Sequence, residues 1–444
     1  MGKLKVGAGK IEITPSPGNP MAGYAARIKT ARGAHDPLYA RVVVFDDGMS
    51  QFVLVVLDLL KVEAEFVGKI RAEISARTGI SPEVISVLAT HTHAGPRIDA
   101  GGGQEYNPKL APEICLKVGR AAAQARQNCI PVKMGFASTT VCGLAGNRID
   151  PEGFHDPAVG IIEVEDMSGN PLVFMVNYAC HPTVLGAENL FYTRDFPGYT
   201  TDLIEQAYPE SMAVFCNGAA ANISTRYTKK AANFNEAERL GGLLAKKVLA
   251  RVREGLITDH EWEIAVKGIQ VDLQVKTGIS RENLTAMLDE LQKKIKDLWA
   301  KKAPRADIRR LETDIQGIET ALRRCRREPG KPWSGGKKEK ITTEVQVISF
   351  ISKRSENSLV LVMLPGEIAA EIGYNIKKEL SALRGMDNNH VYIAGYAGDH
   401  IGYMLPPAIY GEINYETLVS RLSPAAGQVL AEKIILAEKK GMAT

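Results

Sequence analysis

Two of the chain's eight histidines stand one residue apart in "VISVLATHTHAGP", residues 84 to 96. On an extended chain, residues i and i+2 project to one side, so His91 and His93 can reach the same pocket wherever the strand persists. Imidazoles placed this way can hold a cation, or they can cap the strand end and hydrogen-bond to nearby carbonyls. The pair alone does not separate these readings. Zinc needs three or four ligands converging from distant parts of a chain. His181 closes a second apolar run, "PLVFMVNYACH", just before Pro182, and a third run, "LVLVMLPGE", delivers Glu367 at the opening of an expected helix. A carboxylate there can bind metal or simply favour the helix dipole. The segment "GYAGDHIGYMLPPAIYGEINYE" packs aromatic, glycine and histidine residues together and reads as a pocket wall, although Tyr396, Tyr403, Tyr410 and Tyr415 would also serve as packing residues.

Four further residues have suggestive places. His35 in "AHDPLYAR" is expected close to the site, and Asp58 ends the run "FVLVVLD" as His91 ends its own. Asp195 is expected to start a helix. His400 reads either as a group behind the ligands or as a surface histidine. No GxSxG elbow, HExxH helix, phosphate-binding Gly-Lys-Ser/Thr loop or dinucleotide fingerprint is present. A dispersed His/Glu site is the leading physical idea.

Such residues need a scaffold. With 444 residues, 45% hydrophobic and 24% charged, the chain has the composition of an ordinary globular protein. A net charge of +4 gives no case for a nucleic-acid partner. No apolar run is long enough for a signal peptide or a transmembrane segment, so a cytoplasmic protein is the simplest expectation. The six cysteines are scattered without a CxxC pair and read as free thiols. Up to about residue 274, short apolar runs alternate with amphipathic stretches, which predicts α/β layers, sheets flanked by helices. From about 279 to 328 the character changes. Leu284, Leu288, Leu291, Ile295 and Leu298, then Ile308, Leu311, Ile315, Ile318, Leu322 and Cys325, alternate three and four apart, a coiled-coil seam. Pro304 and Asp307 supply a break and a new helix start, predicting an antiparallel helical hairpin. It lies between "EIAVKGIQVDLQVK" and "ITTEVQVISFI", both alternating as paired strands do, with "PGKPWSGGKK" as the return linker. The expected organisation is one catalytic domain, residues 1–276 and 341–444, with the hairpin inserted over 277–340. The hairpin is a candidate arm for homo-oligomer formation, a candidate pocket wall, or a solvated decoration.

In order along the chain, "GAGKIEITPSPGNPMAGYAAR", "HDPLYARVVVFDD", "ATHTHAGP", "AGNRID", "NYACHPTVL", "YTRDFPGY", "ANIST", "LPGE" and "GYMLPPAIYGEINYE" resemble the catalytic domain of the neutral/alkaline, non-lysosomal ceramidases. The resemblance runs from about residue 5 to about 420 and implies a layered αββα-like fold interrupted by the hairpin, in a short form without the family's C-terminal β-sandwich domain. It implies one zinc ion held by His91, His181, Glu367 and Tyr403. It further implies that His93 lies beside the metal and engages the scissile group, that Arg148 and Tyr415 belong to the site, and that Ser224 occupies the family's active-site serine position. Thr225 stands where the family has proline, and the usual Gly-Asp/Asn pattern before the serine is replaced by "GAAANIST". The implied activity is zinc-dependent hydrolysis of a linear N-acyl amide in a small-molecule or lipid-like substrate. Two imidazoles, a carboxylate and a phenol leave a position on zinc for water, whose pKa falls to about 7, and such water attacks an amide carbonyl. His93 would pass a proton to the leaving amine, Tyr415 would face the developing oxyanion, and Arg148 would orient a polar substrate group or support that oxyanion. Attack by Ser224 is the alternative nucleophile. An esterase or deacylase acting on a soluble metabolite is the rival enzyme class, and a non-catalytic scaffold the last reading.

Overall fold

The computed structural model describes residues 3–99, 106–276, 279–327, 340–355 and 357–442. The expected return linker, residues 329–338, lies outside the described residues. Nine helices are described: α1 (Ala64–Thr78), α2 (Leu110–Gln127), α3 (Asp195–Ala207), α4 (Phe234–Arg253), α5 (Arg281–Ala300), α6 (Arg305–Arg327), α7 (Ala370–Arg384), α8 (Tyr415–Val419) and α9 (Ala426–Met442).

The apolar runs read from the sequence form two stacked sheets. The larger has the spatial order Met212–Asn217, Pro171–Tyr178, Ala158–Asp166, Ile130–Thr140, Lys5–Glu12, Tyr39–Asp46, Gln51–Leu57, Ile85–Ala89. Its two outermost pairs, 212–217 on 171–178 and 51–57 on 85–89, are parallel. The smaller sheet runs Trp262–Gln274, Lys340–Ser352, Ser358–Met363, Val391–Ala394.

Alternation decides which residues face which layer. Along 51–57, Val53, Val55 and Leu57 pack with Ile70 and Ile74 of α1, Val118 of α2 and Leu240 of α4, while Phe52, Leu54 and Val56 point to the other sheet and meet Phe350, Leu359 and Leu361. Both faces are apolar and buried, so side-chain size sets the register: a one-residue slip would force Phe52 into the space of a valine, and such overpacking costs about 1–3 kcal/mol. The outer face of the smaller sheet, including Val347, Val360 and Val362, is covered by Ile372, Ile376 and Leu380 of α7 and by Leu430 and Ile434 of α9. The result is four layers, αββα, as the sequence predicts.

The hairpin emerges between strands 262–274 and 340–352, which pair antiparallel from Trp262↔Ser352 to Gln274↔Lys340. Ser280 caps α5 by accepting from the Asn283 amide, and Pro304 precedes α6. The seam closes the two helices on each other through Leu284, Leu291, Ile318 and Ala321, and Leu418 of α8 joins the same cluster. All six cysteines are free. Among the described residues no helix is long and apolar enough to cross a membrane.

Candidate metal centre

Three strand ends supply the central side chains. His91 follows strand 85–89 at φ +68°, a left-handed conformation that costs a non-glycine residue about 1–3 kcal/mol and is tolerated where the surroundings enforce it. Its amide donates to Leu59 O (3.0 Å), its Nδ1 lies 2.6 Å from Leu60 O, and its ring stacks on Tyr396 at 4.0 Å. His181, fully buried, follows strand 171–178, with Nδ1 2.7 Å from Ala220 O and 3.1 Å from Ile223 O. In both rings the carbonyls fix the proton on Nδ1 and leave Nε2 as a lone pair, which in His181 has no hydrogen-bond partner and in His91 faces His93 Nε2. Glu367 does not open a helix as the sequence suggests. It lies on a two-residue strand, Glu367–Ile368, parallel to Tyr403–Met404 and in register with Tyr403, while α7 begins at Ala370. Gly366, at φ +71°, turns the chain there, and a Cβ on it would lie 2.5 Å from Gly402 O.

These atoms converge. Glu367 Oε2 is 3.2 Å from His181 Nε2 and 3.6 Å from His91 Nε2, and His93 Nε2 is 3.2 Å from His91 Nε2. The ligand atoms of the three histidines all lie within 4.8 Å of one another. Burial holds His91 down to about 3, against the opposing pull of Glu367, and keeps His93 and His181 well below the ordinary range. Neutral imidazoles then turn lone pairs toward a carboxylate. His181 Nε2 and Glu367 Oε2 are buried without a hydrogen-bond partner, a costly arrangement of acceptors that a cation at their centre would satisfy. The donor set of imidazole nitrogens and one carboxylate fits zinc. His93 belongs to the same group of histidines as His91 and His181.

The second layer explains the convergence. Asn217, fully buried, ends strand 212–217, and its side chain donates to Thr90 O (3.2 Å) and Cys180 O (3.1 Å) and accepts from the Cys180 amide (3.2 Å). One amide thus ties the residue before His91 to the residue before His181. Asp58 serves the same strand end: it accepts from Thr90 Oγ1 (3.2 Å) and the Tyr39 amide (2.8 Å) and pairs with buried Arg41 (3.0 Å). His93 is backed by the Tyr24 ring, 5.0 Å away, and by Arg27, which donates to His93 O (2.7 Å). Gly23 allows that approach, since a Cβ on it would fall 2.7 Å from His93 Cα.

Arg148 is buried, forms an ion pair with Glu416 (Nε to Oε1, 2.7 Å) and donates to Tyr403 Oη (3.4 Å). Burial opposes its charge, but Glu416, Tyr403 and Glu367 outweigh that penalty and raise its pKa. Tyr415 meets Tyr403 edge-on at 6.1 Å. Ser224 bridges to His181 through the backbone, and its hydroxyl accepts from the Arg226 amide (3.2 Å), a turn-stabilising bond. Among the described residues no imidazole or carboxylate hydrogen-bonds that hydroxyl. His400 titrates down to about 3 because of burial, with Glu367 acting in the opposite direction. Asp195 begins α3 and accepts from the amides of Phe196, Leu185 and Val184. His35 is not at the centre: it stacks on Phe234 at 3.7 Å and leans on Asp36, which pairs with Arg194 at the start of α3.

Residues 4–111 match the family model described as neutral/alkaline non-lysosomal ceramidase, N-terminal. The crystal structure of neutral ceramidase from Pseudomonas aeruginosa aligns with 99% of this chain and 75% of its own, with a TM-score of 0.75 at 18% identity. The chain has the neutral ceramidase fold. A ceramidase complexed with C2 aligns equally well, with a TM-score of 0.75 at 17% identity over 99% of this chain and 76% of that one. Neutral ceramidases A and B of Dictyostelium discoideum are 24% and 25% identical over 231 and 229 residues, 46% of this chain and 32% of each relative. The chain therefore matches about a third of the length of these relatives. Within the neutral ceramidase fold, the family-model match reaches His91 and His93 but stops before His181, Arg148, Glu367, Tyr403 and Tyr415. Asn217 and Tyr24 carry no functional mark in the sequence. The only signals were an asparagine closing "MAVFCN" and a tyrosine inside "MAGYAAR", neither of which reveals a partner far away in sequence.

Proposed function

We propose that this chain is a zinc-dependent hydrolase that cleaves a linear N-acyl amide bond in a small-molecule or lipid-like substrate. The observation that carries the reading is the buried convergence of His91 Nε2, His181 Nε2 and Glu367 Oε2, with the Nδ1 protons of both rings committed to backbone carbonyls. His91, His181, Glu367 and Tyr403 would hold the ion. When bound, zinc acidifies water and polarises a carbonyl oxygen.

The chain's own residues then have distinct tasks. His93, braced by Tyr24 and Arg27, keeps a neutral imidazole at the centre and can accept a proton and return it to the leaving amine. Arg148 keeps its charge through Glu416 and sets a permanent cation beside Tyr403, where a substrate oxygen gaining negative charge would be stabilised. Tyr415, next to Tyr403, can donate to the same oxygen. Water is preferred over Ser224 as nucleophile, because the Ser224 hydroxyl is engaged with the Arg226 amide and no base touches it among the described residues. An ester substrate remains the rival within the same site, since the geometry activates either carbonyl.

The test is elemental mass spectrometry of wild type, His91→Ala and Glu367→Ala, followed by turnover of matched N-acyl amide and ester pairs. The reading requires about one zinc per chain, lost in both variants, with the amide cleaved. A wild type that takes up no zinc on reconstitution, or a zinc-loaded protein that cleaves only esters, overturns it.

A further inference from the structure

We propose that the inserted hairpin is a wall of this centre and that Asp314, on α6, is a positioning residue that fixes Tyr415 and Glu416 for their work at Arg148 and Tyr403. The catalytic half of this inference rests on the function proposed above. Asp314 is buried, and its Oδ1 accepts from the Tyr415 amide at 2.8 Å. One turn later, at Gly317, α6 comes so close to α8 that a Cβ would lie 3.2 Å from Tyr415 Cα. Helix α8 is only five residues long, with Asn414 accepting from the Thr417 amide. Asp314 satisfies an amide of the first turn that α8 cannot satisfy itself.

From that anchor the contacts continue inward. Glu416 pairs with Arg148, Arg148 donates to Tyr403, and Tyr403 is in register with Glu367. A second fastening enters from the other side: Arg226 donates to Arg148 O (3.0 Å) and to Thr313 Oγ1 on α6 (3.4 Å). A solvated decoration has no use for a buried carboxylate, whose burial, with the charge of Glu416, lifts it to about 7. The apolar seam, shared with Leu418, holds α6 in place for these two contacts.

The experiment compares Asp314→Ala and Asp314→Asn in the full chain, reading amide hydrogen exchange over 413–419, zinc content, and kcat and KM on an N-acyl amide. Asparagine keeps an oxygen acceptor for the Tyr415 amide, so zinc content, kcat and KM should match wild type and exchange in 413–419 should be no faster. Alanine should raise exchange in 413–419 by roughly tenfold or more and lower kcat by roughly tenfold, with little change in KM and with zinc retained. An alanine variant with unchanged exchange and kcat, an asparagine variant as impaired as alanine, or loss of zinc alongside activity would overturn the proposal. Should the alanine variant not fold, Leu291→Ala loosens the seam instead, and exchange must then rise in 413–419 as well as in 281–327; a rise confined to the hairpin refutes the coupling. A wild type that turns over no amide defeats the functional reading alone, and exchange still decides the positioning role.

Discussion

Replacing Asn217 with leucine should lower both stability and metal affinity. The side chain is fully buried, and leucine keeps its branched four-heavy-atom skeleton while replacing every polar atom with bulkier methyls, so the lost hydrogen bonds carry the main cost and overpacking adds to it. Three backbone groups lose their partner together: Thr90 O, Cys180 O and the Cys180 amide, now bonded at 3.2, 3.1 and 3.2 Å. A buried backbone group left unpaired costs about 1–3 kcal/mol. The three sum to about 3–9 kcal/mol, against a total stability of about 5–15 kcal/mol for a typical protein. The same loss frees the turns that carry His91 and His181, so zinc affinity should fall by about 10–100-fold, as when other supports of metal ligands are removed. Urea unfolding of metal-stripped protein measures the first quantity, and competition with a chromogenic chelator the second. Asn217→Asp tests the attribution, because it retains the acceptor for the Cys180 amide but loses both donated bonds and buries a charge; it too should lose stability and zinc affinity. If Asn217→Leu unfolds within about 0.5 kcal/mol of wild type and binds zinc as tightly, the link between the two strand ends carries no energy and the argument is wrong.

Glu367→Gln should make the metal-free protein more stable near neutral pH by about 1–3 kcal/mol, because an amide can donate to the bare His181 Nε2, while zinc retention is lost; a lower melting temperature without metal would contradict the converging acceptors. Metal-free wild type should lose stability as pH falls below about 6.5, by about 1.4 kcal/mol per pH unit for each buried histidine. His91 and His400, held down to about 3, stay neutral in the fold while the unfolded chain takes up protons. Urea midpoints that stay flat between pH 7 and 5 would remove that claim. Asp314 has the opposite sign: its carboxyl, raised to about 7, stays protonated in the fold over a range where the unfolded chain has already ionised. The advantage of Asp314→Asn over wild type should therefore grow as pH rises from about 4 to 7 and reach at most about 4 kcal/mol; urea midpoints across that range would show it, and a difference independent of pH would refute it. Gly23→Ala should cost about 1–3 kcal/mol through its left-handed backbone and displace His93, lowering turnover while zinc stays bound; unchanged turnover would free His93 from its assigned role.

Local patterns in the sequence already mark the layers and the two helices that pack on each other. Continuous apolar runs such as 51–57, the alternating runs on either side of the hairpin and the three-and-four spacing of 284–325 are local patterns, and burying their apolar faces leaves little choice of architecture. The sequence also marked His91, His93 and His181 at strand ends, because an apolar run stopped by glycine or proline is visible without a structure. Tertiary structure alone decided which of those ends meet. Asn217 joins positions 90 and 180, Glu367 reaches the histidines from a two-residue strand too short to leave a pattern, and His35, equally plausible in sequence, packs on Phe234 instead. The role proposed for the hairpin has no local signal either, since its seam accounts only for how two helices hold each other. Asp314 looks like a solvent-facing charge in a polar helix until α8, a hundred residues later in the chain, lays the Tyr415 amide against it. Short-range periodicity fixes elements because neighbours in sequence share one face; sites are built from residues far apart in sequence, and only the packed chain brings their lone pairs within reach of one another.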